Sequence, residues 1–182
     1  LAGHDAVANL ATHIPATNRM LLPGAWKENE RIRREGSAAV VDAALEAGVR
    51  RLVQESVVMI YRDQGDQWLD EDAPVDEYPI AQMNLAAEAS ARRFTESGGT
   101  GVVLRFGLFY GPGATQSEEM MRFARLHVGP VIGSADGYLS SIHVADAGAA
   151  VPAALHVPAG TWNVVDDEPL TKHEYADALA EA

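Results

Sequence analysis

Short apolar runs of strand length alternate in this chain with longer segments of helical periodicity. The runs typical of buried strands are residues 5–11, 51–60 and 101–109, and the helical patterns between them cover 27–47 and 80–97. Strands that are separated by helices of about ten residues or more pair in parallel through right-handed crossovers. We therefore predict an α/β fold of three layers, in which a parallel sheet carries the strands in sequence order and the two helices cover it.

The composition excludes several classes of protein. The net charge is −12 with no basic stripe, which argues against a nucleic-acid partner. The chain has no cysteine, so disulfides, thiolate metal sites and a cysteine nucleophile are excluded, and its six histidines show no ligand spacing, so we expect no metal site. No apolar run approaches the roughly 20 residues that cross a bilayer, and no signal-peptide pattern opens the chain. We expect no membrane partner and a cytoplasmic location.

Several segments carry a family pattern, and they occur in a fixed order. They are residues 5–11, Gly36-Ser37 followed by 41–49, 51–61, Leu104-Arg105-Phe106 with Tyr110-Gly111-Pro112-Gly113, and Ser141-Ile142-His143-Val144 with Asp146. Their order and spacing over nearly the whole chain resemble the extended short-chain dehydrogenase/reductases, also called the NAD-dependent epimerase/dehydratase family. The resemblance implies a Rossmann-like NAD(P)-binding domain over residues 1–113. It implies a small C-terminal part, 114–182, that carries substrate-side elements and is intertwined with the same domain.

The family also carries a glycine-rich turn, which seats the cofactor pyrophosphate on a helix N-terminus, ahead of the segment that matches 5–11. This sequence contains no Gly-x-x-Gly-x-x-Gly and begins with Leu1 rather than Met. We therefore expect a fold that is truncated at its N-terminus and lacks the main phosphate-binding turn, with processing as the alternative.

The resemblance implies NAD or NADP as the cofactor. Ligands of open parallel sheets bind outside the carboxyl ends of the strands. The cofactor contacts are therefore expected at six strand-end residues: Leu10, Ala11, Thr12, Ser56, Phe106 and Gly107. A further contact is expected at Asn84, which occupies the position of the family's ribose-binding lysine.

The family's catalytic serine, tyrosine and lysine do not fall on matching residues. Counting back from Tyr61 puts the serine position at Val57, with Ser56 one residue earlier on the strand. The positions of tyrosine and lysine fall on Ile80 and Asn84, and the nearest tyrosine is Tyr78.

The chemistry needs a phenol close to its ionised form beside a cation, and residues 77–93 contain no lysine. Ser56 and Tyr78 remain the catalytic candidates. The alternatives are a serine hydroxyl bonded to a nearby backbone carbonyl and a partly exposed tyrosine at a helix start.

Other departures concern the substrate. Nucleotide-sugar members carry an arginine where this chain has Leu139, and the long loop over 62–79 is acidic, so both features disfavour a diphosphate. Trp68 in that loop either lines an apolar pocket or holds the loop in place. His143 is expected to be structural, and Asp146 is expected to be the N-cap of the following helix.

Two functions follow from the resemblance. The first is an NAD(P)-dependent, epimerase/dehydratase-like oxidoreductase of atypical type that acts on a small-molecule substrate. The alternative is a non-catalytic NAD(P)-binding sensor or regulatory protein. Family members often dimerise through two helices, so a homodimer through 27–47 and 80–97 is also expected, with Ala81, Leu85 and Ala89 at the contact.

Overall fold

A computed structural model describes residues 1–125 and 134–181, so part of the predicted region 114–182 lies outside the described residues. The strands are β1 (Ala6–Asn9), β2 (Arg51–Val57), β3 (Thr100–Phe106), β4 (Leu108–Tyr110), β5 (Tyr138–Leu139), β6 (Ser141–His143), β7 (Gly160–Val164) and β8 (Leu170–Thr171). The α-helices are α1 (Lys27–Arg31), α2 (Ser37–Glu46), α3 (Pro79–Glu96), α4 (Thr115–Arg125), α5 (Val144–Ala153) and α6 (Lys172–Glu181).

The central sheet has four parallel strands in the order β1-β2-β3-β7. Ala6 pairs with Arg51 at the start of β1, and Ser56 pairs with Arg105 near the ends of β2 and β3. The predicted parallel sheet with strands in sequence order is therefore confirmed. Two small sheets, β4-β6 and β5-β8, lie outside the central sheet.

Helices cover both faces of the sheet and make the three predicted layers. On one face, Leu52 and Val103 pack with residues of α2 and α3 such as Phe94. On the other face, Val53 and Phe106 pack with α5. Side chains of successive strand residues point to opposite faces, so neighbouring apolar residues in β2 and β3 serve the two layers in turn.

The predicted helix over 27–47 is one continuous helical segment with an irregular middle. The π-helical turn Ile32–Gly36 joins α1 to α2 without a break. Polar residues are buried in its first half, namely Asn29, Arg33 and Ser37, whereas Val41 and Ala44 are buried in its second half. The second predicted helix, over 80–97, is α3.

The exposure of α3 corrects one part of the predicted dimer contact. Ala81 is buried within its own chain, so it cannot contribute to a contact between subunits. Leu85 is partly buried and Ala89 is exposed. The homodimer stays a prediction, and Ala89 is the residue of the three that can test it.

The turn before α5 differs from the expectation for Asp146. His143 is the N-cap of α5, since its Nδ1 accepts a hydrogen bond of 3.3 Å from the Ala145 amide. Asp146 lies in the first turn, where a carboxylate interacts favourably with the helix dipole. The prediction that Asp146 caps the helix is wrong, and the structural role expected of His143 is this capping contact.

The acidic loop between β2 and α3 is closed at its base by backbone hydrogen bonds. The Arg62 amide donates to Pro74 O at 2.9 Å, and the Asp76 amide donates to Ile60 O at 2.7 Å. Trp68 in this loop is 78% exposed, so it neither lines a pocket nor anchors the loop against the residues that the structure describes. Among the described residues, no helix is both long enough and apolar enough to cross a membrane.

Candidate functional site

The carboxyl edge of β1, β2 and β3 is the candidate site, because ligands of open parallel sheets bind there. Leu10, Ala11 and Thr12 follow β1 and are exposed at this edge. Phe106 ends β3 and Gly107 follows it, but both are buried. The predicted strand-end residues therefore reach the same edge, although only the segment after β1 is open to solvent.

Packing alone explains why position 107 is a glycine, without any ligand. A Cβ at this position would lie 2.8 Å from Ser140 O, which is too close for any other residue unless the backbone shifts. Its amide donates to Val164 O at 3.0 Å. Phe106 similarly packs in the core beneath α5.

Ser56 faces α3 and is fully buried. Its hydroxyl donates to Glu88 Oε1 at 2.7 Å. The partner is therefore a buried carboxylate from the neighbouring helix, and not the nearby backbone carbonyl that the alternative assumed. The catalytic and cofactor roles of Ser56 remain predictions for a hydroxyl that is engaged by Glu88.

Tyr78 is the N-cap residue of α3, at the carboxyl edge. Its hydroxyl donates to Met59 O at 2.5 Å. Burial, and secondly the charge of Asp76, raise the pKa of the Tyr78 phenol above its ordinary value. This direction is opposite to the one that a proton-transferring tyrosine requires.

Asn84 lies within the first two turns of α3 and is 2% exposed. Its Nδ2 donates to Ile80 O at 2.8 Å. Its Oδ1 is buried without a hydrogen-bond partner among the described residues. An unpartnered buried acceptor costs about 1–3 kcal/mol, so this oxygen favours a ligand that donates a hydrogen bond.

A buried ion pair of Arg33 and Glu55 lies where β1 stops. Asn9 and Gln54 form the last pair between β1 and β2, so the Glu55 carbonyl has no strand partner on that side. Arg33 Nη1 donates to this carbonyl at 2.8 Å and also contacts the Glu55 carboxylate. Burial is the main influence on the Glu55 carboxyl and raises its pKa, while Arg33 acts in the opposite direction.

The segment after β1 is fixed to the same ion pair. Arg33 Nη2 donates to Thr12 Oγ1 at 3.3 Å, and Thr12 donates to Asn29 Oδ1 at 3.0 Å. Asn29 also accepts from the His13 amide at 2.9 Å and donates to the Met83 sulfur at 3.1 Å. Thr12, a predicted cofactor residue, is thereby held between β1 and the two helices.

A second buried ion pair joins α3 to β3. Arg105 donates from Nε to Glu88 Oε1 at 2.9 Å and from Nη2 to Glu88 Oε2 at 2.8 Å, which is a bidentate contact. Burial lowers the pKa of the Arg105 guanidinium, but the hydrogen bonds with Glu88 and Tyr61 together raise it by more. The pKa of Arg105 is therefore raised overall.

This second pair continues into the acidic loop and β7. Arg105 Nη1 donates to the Tyr61 hydroxyl, which donates to Asn163 Oδ1, each at 2.7 Å. The Asn163 amide donates to Glu71 Oε1 at 2.7 Å. Burial raises the pKa of Tyr61, although Arg105 opposes this shift. The network therefore ties the loop to the sheet.

Sequence reasoning missed the two ion pairs as site features. The available signals were charged residues inside apolar strands, namely Glu55 in β2 and Arg105 in β3, and the glutamate Glu88 within the predicted helix 80–97. Buried charges are paired when they occur in a strand interior. Arg33 had no such signal, because it stands in a run of charged helical residues.

Residues 2–164 match the sequence profile of the NAD dependent epimerase/dehydratase family, and the chain belongs to that family. Within the family it is similar to a 3-diazoavenalumate denitrifying reductase from a Streptomyces species, with 39% identity over 155 residues, covering 81% of this chain and 51% of that protein. It is also similar to the epimerase family protein Mb2239 of Mycobacterium bovis, with 29% identity over 98% of this chain and 60% of that protein. The chain spans only about half to three-fifths of the length of these relatives.

Solved structures give the same fold. A human epimerase family protein, SDR39U1, solved with NADPH, is 27% identical with a TM-score of 0.84, covering 98% of this chain and 64% of that chain. The Thermus thermophilus UDP-glucose 4-epimerase, solved with NAD, has a TM-score of 0.79 at 22% identity, covering 98% of this chain and 61% of that chain. At that level of identity the second similarity concerns the fold alone.

Proposed function

We propose that the protein is an NAD(P)H-dependent reductase of this family that acts on a small, electron-poor molecule. The observation that carries the proposal is the buried Asn84 Oδ1, which has no hydrogen-bond partner in the described part of the chain and stands at the position of the family's ribose-binding lysine. A ribose hydroxyl donates the hydrogen bond that this oxygen lacks. The NADPH in the structure of the 27%-identical human protein supports this cofactor class.

The residues of this chain fit the nicotinamide end of the cofactor better than its pyrophosphate. Asn84 offers an acceptor at the position of the family's ribose-binding lysine, and residues 10–12 offer an exposed strand end for the adenosine half. The 182 residues hold no glycine-rich turn for the phosphates. NAD and NADP both remain expected cofactors, and the cofactor supplies a hydride when bound.

The substrate class is proposed from the lack of a tyrosine and a lysine at the family's catalytic positions. Ile80 and Asn84 stand where the family has its tyrosine and lysine, and the pKa of Tyr78 is raised. An acceptor that takes a hydride without a proton from the protein suits such a site. An aryldiazonium ion is of this class, since hydride enters, the carbon–nitrogen bond breaks with loss of dinitrogen, and no proton is transferred.

Charge supports the same class. The loop over 62–78 carries one arginine, Arg62, and seven acidic residues: Asp63, Asp66, Asp70, Glu71, Asp72, Asp76 and Glu77. Its field attracts cations and repels diphosphates. The name of the 39%-identical relative, a denitrifying reductase of a diazo compound, agrees with a substrate of this kind.

Titration of the full-length protein with NADH and NADPH, followed by nicotinamide fluorescence, tests cofactor binding. We expect saturable binding of NADH, NADPH or both, and a dissociation constant about tenfold larger for Asn84→Ala. Gln82→Ala is the matched control, because Gln82 is an exposed amide on the same helix. Equal binding by both variants contradicts the role of Asn84.

Turnover separates the reductase from the alternative function. The alternative, an NAD(P)-binding sensor, is favoured by the same replacement of tyrosine and lysine by Ile80 and Asn84. Oxidation of NAD(P)H that depends on an aryldiazonium salt, and not on a simple ketone, supports the reductase. Cofactor binding without turnover of either supports the sensor. The cytoplasmic location and the division into 1–113 and 114–182 stay predictions.

A further inference from the structure

The site contains a buried cation that does not come from α3. Arg33 belongs to the π-helical turn between α1 and α2 and is 2% exposed. It lies at the carboxyl edge of the sheet, because its guanidinium reaches the Glu55 carbonyl just beyond the last pair of β1 and β2. The edge that lacks a lysine therefore has an arginine.

The protein satisfies only part of this guanidinium. Nη1 is directed at Glu55 and Nη2 donates to Thr12 Oγ1. Nε is buried and has no hydrogen-bond partner among the described residues, and the same holds for Glu55 Oε2, which Nη1 contacts as an ion pair only. A buried donor of this kind favours an acceptor from a ligand, just as Asn84 Oδ1 favours a donor.

Arg33 Nε and Asn84 Oδ1 belong to the same end of two adjacent helices. Asn29 contacts Met83 at one end, and Asp42 pairs with Arg93 at 2.8 Å further along, so the helices run side by side in the same direction. Arg33 lies one turn after Asn29, and Asn84 follows Met83 directly. Both residues are therefore placed near the carboxyl edge of the sheet.

We infer that Arg33 is a ligand-binding cation of this site and donates from Nε to a sugar hydroxyl of the nicotinamide cofactor, which in turn donates to Asn84 Oδ1. A hydroxyl is both donor and acceptor, so one group satisfies both atoms. This inference rests on the proposed function. It places the cation on the helical segment before β2, whereas the family's lysine stands on the helix after the matching strand.

Glu55 is the counterion that keeps the guanidinium in place. Removing Arg33 alone leaves Glu55 buried without its cation, and loss of a single partner from a buried pair is strongly destabilising. Arg33→Gln is therefore combined with Glu55→Gln, which removes both charges together. Glu55→Gln alone keeps the cation and serves as the second variant.

The test is titration with NADH and NADPH followed by nicotinamide fluorescence, with thermal unfolding of each variant as a check on folding. We expect Glu55→Gln to bind as tightly as the wild type or more tightly, because the guanidinium is less neutralised. The double variant is expected to bind at least about tenfold more weakly. Arg34→Gln is the matched control, since Arg34 is exposed and pairs with Glu30 on the surface.

The outcomes separate the inference from the proposed function. A folded double variant that binds the cofactor as tightly as the wild type overturns the role of Arg33 and leaves the proposed function intact. Weakening by Glu55→Gln to the same degree as by the double variant also overturns it, because the pair would then be purely structural. A wild type that binds neither nucleotide overturns the proposed function, and this inference with it.

Discussion

The two buried arginine–glutamate pairs differ in how completely the protein satisfies them. Arg105 makes a bidentate contact with Glu88 and adds hydrogen bonds to Tyr61 and to the Glu71 carbonyl. Arg33 has a close contact with one carboxylate, and its Nε has no hydrogen-bond partner within residues 1–125 and 134–181. Both arginines are buried, and both lie near the carboxyl edge of the sheet.

This difference separates structural from ligand-binding use of the same chemistry. Desolvation of two charges is expensive and is offset only when the remaining hydrogen-bonding groups are satisfied. The Arg105 pair meets that condition within the fold, so it needs nothing further. The Arg33 pair does not meet it, and it lies where a ligand of a parallel sheet binds. Completeness of hydrogen bonding is therefore the feature that distinguishes them.

The largest expected effect on stability is at the Arg105–Glu88 pair, whose hydrogen bonds are complete. Arg105→Met leaves the Glu88 carboxylate, which is 0% exposed, with Ser56 as its buried partner, and we expect a loss of about 3–5 kcal/mol in the free energy of unfolding. Urea denaturation at pH 7 measures it. Arg92→Met is the control, because Arg92 is exposed and lies 3.9 Å from the same carboxylate, and it should cost less than about 0.5 kcal/mol. Equal losses would contradict the distinction.

A smaller effect is expected at the end of the same network. Tyr61→Phe removes the hydroxyl that links Arg105 to Asn163, and we expect a loss of about 1–3 kcal/mol by the same measurement. Tyr78→Phe removes a hydroxyl that bonds one backbone carbonyl near the surface, so it should cost under about 1 kcal/mol. A greater loss for Tyr78→Phe than for Tyr61→Phe would show that the hydrogen bonds of the Tyr61 hydroxyl are not the more stabilising ones.

The Arg33–Glu55 pair, whose hydrogen bonds are incomplete, is expected to make the stability depend on pH. The folded pKa of Glu55 is raised above its ordinary value of 4.5, so the folded state binds the proton more tightly than the unfolded state does. Its contribution to stability is fully present below pH 4.5 and is lost as the pH rises through the raised folded pKa. Each unit of upward shift corresponds to about 1.4 kcal/mol.

Unfolding free energies of the wild type and Glu55→Gln, measured from pH 4 to pH 8, check this sign. The difference between them should move in favour of Glu55→Gln as the pH rises. A constant difference across that range would show that Arg33 cancels the burial of the carboxylate.

The smallest effect on stability is expected on the outer surface of α3. Ala89 is exposed one residue after Glu88, and Ala89→Arg should change the unfolding free energy by less than about 0.5 kcal/mol, leaving both ion pairs intact. It should nevertheless abolish the predicted homodimer. Light scattering coupled to size-exclusion chromatography reads the mass, and a wild-type monomer, or a variant that still dimerises, would remove this helix face from the proposal.

The sheet could be predicted from sequence because apolar periodicity reports burial. The strand limits could not, since periodicity does not report where the backbone leaves the sheet. The run 51–60 ends as a 3₁₀ turn at Val58–Ile60, although its residues stay apolar. The run 101–109 is divided at Gly107, where the close approach of Ser140 requires glycine.

The positions of Ser56 and Asn84 followed from family spacing, but their hydrogen bonds did not. Whether a serine faces a crevice or a buried glutamate depends on the helix packed against its strand. Arg33 was beyond sequence reasoning for a related reason. It stands in a run of charged residues whose neighbours Arg31 and Arg34 are exposed, and the run itself does not show which of these residues faces the sheet.

The π-helical turn Ile32–Gly36 holds one residue more than an α-helical turn would. Deleting one residue there would restore an α-helical turn that spans nearly the same rotation, so the helices on either side would keep their faces. Asn29 would stay at Met83, and Val41 and Ala44 would keep their packing. The change would act inside the turn itself, where Arg33 lies. The length of this turn is therefore a way to change the contacts of one buried cation without disturbing the core.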